Sequence, residues 1–142
     1  MIKIIATLLT IFAFSTSHAK TVNVGIILGF TGPIESLTPD MAAGAELAFS
    51  EASNSGKLLN GSNINVIRAD STCIDSAAAT SAAEGLVSQG VTAIMGADCS
   101  GVTGAILSNV AVPNGVPMIS PSATSPGLTT AEDNGLFFRT AP

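Results

Sequence analysis

The chain is 142 residues long, 46% hydrophobic and 11% charged, with a formal net charge of −5. That suffices for one small domain with a true core. Five scattered basic residues against ten acidic ones exclude the electrostatic footprint of a nucleic-acid-binding protein.

The N-terminus reads M-I-K, then I-I-A-T-L-L-T-I-F-A-F, then S-T-S-H-A. A basic start, an apolar run and small residues at Ser17 and Ala19 predict a signal peptide over residues 1–19, cleaved after Ala19. The run is shorter than the about 20 apolar residues that a membrane-spanning helix needs. The mature chain is therefore expected to start at Lys20 and to be exported. Lys3 and His18, the one histidine, leave with the signal.

Val22 to Leu28 is apolar almost throughout and rich in β-branched residues, which predicts a strand buried on both faces. It exits into G-F-T-G-P-I-E-S-L-T-P-D, punctuated by Gly29, Gly32, Pro33 and Pro39. A helix is predicted from about Asp40, with Met41, Ala45, Ala48 and Ala52 on its inner side and an end at Asn54 to Gly56. After a turn at Asn60-Gly61, Ile64 to Ala69 reads as a second strand with the polar exit D-S-T-C-I-D. Asp75 is expected to cap a helix over Ser76 to Gln89 that Gly90 closes, its run of alanines letting it lie close to a sheet.

Val91 to Met95 is the third predicted strand, leaving at G-A-D-C-S-G. Ser100 is expected to cap a helix over Val102 to Val110, with Val102, Ile106 and Val110 inside and Pro113 as its stop. Val116 to Ile119 and Leu136 to Arg139 read as the last two strands. This alternation, at intervals of about 30 residues, predicts β-α-β units. The fold class is α/β, a doubly wound parallel sheet with flanking helices, and ligands in such sheets bind beyond the carboxyl ends of the strands. The sequence stops at F-F-R-T-A-P, directly after a strand, and is expected to be a fragment of a longer protein.

Export gives Cys73 and Cys99 a meaning. An oxidising compartment favours a bridge between them, and two free thiols are the other reading. Bridging a loop of about 27 residues stabilises by roughly 3 to 4 kcal/mol in the chain-entropy model. Neither is expected to be a nucleophile, because no histidine base survives processing.

Other chemistries lack their residues. Gly25, Gly29 and Gly32 do not have the G-x-G-x-x-G spacing of a dinucleotide site, and no G-x4-G-K-[ST] or G-x-S-x-G occurs. No histidine and no tight carboxylate cluster marks a metal site. No cofactor, metal or catalytic residue is expected, and binding remains. Ser100 at a helix N-terminus, with the backbone N–H groups behind it, suits a carboxylate. Thr124 can add a hydroxyl and an N–H, and the carbonyls of the S-P-S-A segment, notably Ser122, suit an ammonium. Together they would hold the head of an amino acid. Ordinary capping and turn chemistry is the competing reading of the same residues.

The segments G-F-T-G-P (Gly29 to Pro33), D-M-A-A-G-A-E-L-A (Asp40 to Ala48), D-S-T-C (Asp70 to Cys73), G-A-D-C-S-G (Gly96 to Gly101) and I-S-P-S-A-T-S-P-G-L-T (Ile119 to Thr129) resemble the periplasmic leucine/isoleucine/valine-binding protein family. Its members are substrate-binding components of ABC transporters for branched-chain and other amino acids. The resemblance implies a two-lobe fold of the type I periplasmic binding kind, of which residues 20–142 would be the N-terminal lobe, with the second lobe absent. It implies Ser100 for the ligand carboxylate, the carbonyl of Ser122 with neighbouring Ala123 for the ammonium, and Thr124 for both ends of the head group. It pairs Cys73 with Cys99. Leu37 stands where leucine binders carry an aromatic, in a loop one residue longer. The implied partners are a small-molecule amino acid and a membrane permease, with the protein itself a monomer. A ligand-sensing receptor ectodomain on the same lobes, or an exported enzyme with its catalytic half elsewhere, are the alternatives.

Overall fold

A computed structural model describes residues 20–142, and the predicted signal peptide lies outside them. The strands are β1 (Thr21–Leu28), β2 (Asn63–Asp70), β3 (Val91–Gly96), β4 (Met118–Ser120) and β5 (Phe137–Arg139), and the main helices are α1 (Thr38–Asn54), α2 (Ser76–Ser88) and α3 (Ser100–Ile106). All strand pairs are parallel, in the order β2-β1-β3-β4-β5. The chain thus moves one way from β1 to β2 and the other way from β3 onward. Crossovers of one hand then place helices on opposite faces and leave a switch point between β1 and β3.

The alternation of side chains along β1 divides the core accordingly. Ile26 and Leu28 are buried with Ala42 of α1 and packed by Met41, Ala45 and Phe49. Ile27 faces the other way, into the larger cluster with Ala79, Ala83 and Leu86 of α2, Val102 and Ile106 of α3, and Ile94, Met118 and Phe137 of the sheet. Close approach of α2 depends on Gly25, where an added Cβ would lie 2.8 Å from the Leu86 side chain. On the α1 face, Ile119 and Phe138, in register with Met95, stay exposed.

Several predicted elements hold to within a residue. Asp75 caps α2 by accepting from the amides of Ala77 and Ala78 at 2.9 and 3.0 Å. Val102, Ile106 and Val110 are buried as the inner stripe of their helix. Others shift. α1 starts two residues earlier than expected, at Thr38, with Pro39 in its first turn where no N–H is missed. Ala48 is exposed, and Phe49 takes the inward position.

Pro113 does not stop the third helix. Beyond α3 the chain continues through a π turn (Leu107–Ala111) to Asn114. Val112 donates to Leu107 O, five residues back, and the wider turn accommodates a proline that has no N–H to give. Val116 then donates to Ala111 O, so it finishes the helix rather than opening β4, which starts two residues later than predicted.

Gly96 ends β3 at φ +133°, where an added Cβ would lie 2.0 Å from Ile27 O. Gly96→Ala is expected to destabilise by about 3 kcal/mol or more. Gly44, inside α1 with open space around it, is its control: Gly44→Ala is expected to stabilise by about 0.5 to 1 kcal/mol. Denaturant midpoints of the two variants against wild type check both.

Candidate functional site

Parallel register brings the carboxyl ends of the strands to one edge, with Leu28 beside Asp70, Ile27 beside Gly96 and Ser120 beside Arg139. Just past β3 sits Asp98, 4% exposed. Its carboxylate accepts from Gly29 N at 2.8 Å, Cys99 N at 2.9 Å and Ser71 Oγ at 3.4 Å. Its carbonyl accepts from Ser122 Oγ at 3.0 Å. One residue thereby ties together the exits of β1, β2, β3 and β4.

The β4 exit is gathered by two serines. Buried Ser120 donates to Ala97 O and accepts from Ala123 N at 3.0 Å and Ser122 N at 3.4 Å. Ser100 accepts from Thr124 N at 3.1 Å and Ser125 N at 3.0 Å. Four consecutive loop amides therefore end on two hydroxyls. A serine has two acceptor lone pairs and one O–H, so Ser100, with both lone pairs engaged, keeps its O–H to donate. Arg139 closes the loop from the far side, donating to the carbonyls of Ser125 (3.0 Å) and Ala123 (3.4 Å) and to Thr129 Oγ1 (2.5 Å).

The structure thus brings Ser100, Ser122, Ala123 and Thr124 together, and three details differ from the sequence reading. Ser100 does not cap its helix: Cys99 is the N-cap, no side chain caps it, and Ser100 reaches across to the loop instead. The Thr124 N–H is held by Ser100, since a loop amide needs an acceptor and this hydroxyl is the one at hand. The Ala123 carbonyl is turned to Arg139. Leu37 is 60% exposed at the start of α1. Its neighbour Thr38 is fixed to the exit of β1, its hydroxyl donating to Gly29 O at 3.1 Å.

Asp98, Ser120 and Arg139 were missed in the sequence. A D-C-S step after a strand and an arginine in the last strand were the available signals, and neither announces a partner 14 to 69 positions away.

The β2 exit is fixed beside this cluster. Cys73 and Cys99 form a disulfide, with Cα atoms 5.2 Å apart. Thr72 and Cys73 hold left-handed φ values of 55° and 69°, which cost side-chain-bearing residues energy. Asp70 steadies them, accepting from Thr72 N at 2.8 Å and from Thr31 Oγ1 at 2.6 Å. Partial burial opposes the Asp70 charge, but hydrogen bonds from the Thr31 hydroxyl and the amides of Thr72 and Thr31 outweigh it and hold the carboxyl below its usual range. Phe30 is covered by the Arg68 guanidinium, 5.4 Å from the ring centroid, which itself pairs with Glu46 at 2.6 Å.

Among the described residues no group of three or more His, Cys, Asp or Glu converges as metal ligands would. A cavity of about 410 Å³ lies at the other end of the sheet, lined chiefly by Val22, Val24, Leu58, Leu59 and Ile64. It is remote from the strand exits. The convergence of polar groups at Ser100 is the better candidate site.

Residues 21–142 match the model of a family described as periplasmic binding protein. The chain is similar to the Leu/Ile/Val-binding protein BraC3 of Rhizobium johnstonii, 32% identical over 124 residues, which cover 87% of this chain and 33% of that one. It also resembles the branched-chain amino acid transporter substrate-binding protein LivJ of Streptococcus pneumoniae, solved in complex with isoleucine. That likeness has a TM-score of 0.74 at 36% identity, covering 84% of this chain and 33% of that one. A solute-binding protein of an ABC transporter from Rhodopseudomonas palustris, solved with 3,4-dihydroxybenzoic acid, gives a TM-score of 0.70 at 26% identity, covering 84% and 31%. The chain spans about a third of the length of the relatives it matches.

Two measurements check the frame of the site. Because a group with a lowered folded pKa stabilises above its unfolded pKa, near 3.9 for aspartate, Asp70 contributes at neutral pH. That contribution fades as pH falls through its lowered folded value. The stability gap between wild type and Asp70→Asn is therefore expected to be widest at neutral pH and to narrow below about pH 4. Reduction of Cys73–Cys99, or the paired Cys→Ala change, is expected to lower unfolding free energy by about 3 to 4 kcal/mol, with no titratable thiol before reduction.

Proposed function

The chain belongs to the periplasmic binding protein family, and from that premise we propose that it is the N-terminal lobe of an exported solute-binding protein, cleaved after Ala19, that captures an amino acid in the periplasm and delivers it to an ABC permease. The observation that carries this reading is the donor set at the β4 exit. Ser100 presents an O–H, its helix starts without a side-chain cap, and the Thr124 and Ser125 amides lie 3.1 and 3.0 Å from the same oxygen. Uncapped helix N–H groups and the positive end of the helix dipole favour an anion there. A ligand carboxylate would take the Ser100 hydroxyl and share the Thr124 N–H. The carbonyl of Ser122 and the Thr124 hydroxyl would serve the ammonium.

The named relatives support a carboxylate ligand in particular. One is a Leu/Ile/Val-binding protein, one holds isoleucine, and one holds 3,4-dihydroxybenzoic acid. A second reading follows from the last of these. The Ala123 carbonyl, an acceptor expected to lie near the ammonium, is already engaged by Arg139, which leaves the carboxylate end of the site better furnished than the ammonium end. An aromatic carboxylic acid then competes with an amino acid as the solute. Leu37, exposed in the loop before α1, would contact the remainder of either ligand.

Calorimetry on the full-length protein with L-leucine, L-isoleucine, L-valine and 3,4-dihydroxybenzoate separates the two readings. Binding of an amino acid with Ser100→Ala/Thr124→Ala weaker by about 3 to 6 kcal/mol is the expected result. An unchanged affinity in that double variant contradicts the site.

A further inference from the structure

We propose that Arg139 is a positioning residue that sets the polarity of the ligand loop by fixing the plane of the Ala123–Thr124 peptide. The inference rests on the reading of the β4 exit as the carboxylate site. Arg139 lies in β5, in register with Ser120, and its guanidinium reaches over the loop that follows. Its Nη1 donates to Ala123 O at 3.4 Å and more closely to Ser125 O at 3.0 Å, and its Nη2 donates to Thr129 Oγ1 at 2.5 Å.

Ala123 O and Thr124 N belong to one peptide group. The oxygen end is drawn toward a cation, and the N–H end points at Ser100 Oγ, 3.1 Å away. A planar peptide has one orientation to choose. Turned as it is, it offers a donor on the Ser100 side; turned over, it would offer an acceptor there, and the same wall would suit a cation. A charge-assisted bond to the carbonyl also polarises the N–H of the same group and makes it a stronger donor.

Nothing else described on the Ala123 carbonyl holds it in place. The side chain of Ala123 is buried but apolar, and the second serine, Ser120, grips the preceding amides rather than this one. The fork of Arg139 spans three acceptors, two carbonyls and a hydroxyl. A lysine ammonium, a point donor, does not reproduce that reach. Arg139 meets the proposed site at the Ala123 carbonyl alone and acts through the peptide it orients.

The test uses the full-length protein, with calorimetry against L-leucine, L-isoleucine and L-valine and with amide hydrogen exchange in the absence of ligand. Arg139→Gln is expected to weaken binding about tenfold or more. It should also speed exchange of the Thr124 and Ser125 amides while leaving the β1 and β3 amides protected. Arg139→Lys is expected not to restore either property. Because both residues act through one peptide, Arg139→Gln combined with Ser100→Ala should lose less than the product of the single losses. Should Arg139→Gln fail to fold, Thr129→Val removes the Nη2 acceptor alone and is expected to move the same readouts in the same direction by a smaller factor. Wild-type affinity and unchanged Thr124 exchange in these variants overturn the proposal. So does a loss of protection spread evenly over the sheet, which would mark a merely structural role. A wild type that binds no amino acid overturns the functional reading instead, and the exchange arm still decides whether Arg139 holds the loop.

Discussion

The arrangement depends on one buried carboxylate. Asp98 is nearly inaccessible and sits just past β3, at the switch point between β1 and β3. A buried polar side chain is tolerable only when hydrogen-bonded, and Asp98 meets that demand by drawing in groups from the neighbouring exits. Gly29 comes from β1, Ser71 from β2, Cys99 from its own turn, and Ser122 joins through the main-chain carbonyl. The requirement for side-chain partners thus holds three strand ends in a fixed relation, and the main-chain carbonyl of the same residue ties in the fourth. The Cys73–Cys99 disulfide adds a covalent tie between two of them.

That fixed frame gives the loop after β4 its shape. Its amides from Ser122 to Ser125 are not left to solvent but fall in pairs on Ser120 and Ser100, while Arg139 takes carbonyls on the other side. N–H groups gathered on one side and carbonyls on the other make the loop polar in a directional sense. Donors held in place before a ligand arrives lose little entropy on binding, which is the property a capture protein needs. On the proposed reading, an anion at this exit would need no cationic side chain in direct contact, because the helix start and the aligned amides would supply the positive potential.

Local pattern made much of this visible in the sequence. The run V-N-V-G-I-I-L, the Asp75 cap and the Val102, Ile106, Val110 stripe are short-range signals, and the corresponding elements lie where they were expected. The pairing of Ser100 with Thr124 could be anticipated because both follow apolar runs that end at one sheet edge. What escaped is carried by contacts between distant positions. Asp98 reads as one letter of a polar turn, although its partner Gly29 is 69 residues away. Pro113 reads as a stop, and only the packed π turn that precedes it shows how a helix passes through. Phe49 displaces Ala48 from the inner face because tertiary packing, not composition, decides which side of a weakly amphipathic helix turns inward.

On the proposed reading this strand exit grips the carboxylate of a small solute, and a crystal structure of the full-length protein with its bound amino acid is the sharpest test. The carboxylate is predicted to lie within about 3 Å of both Ser100 Oγ and the Thr124 amide, with Asp98 and Arg139 keeping their present partners. A ligand whose carboxylate sits elsewhere, with the Ser100 and Thr124 groups turned to each other as they are now, would contradict the account.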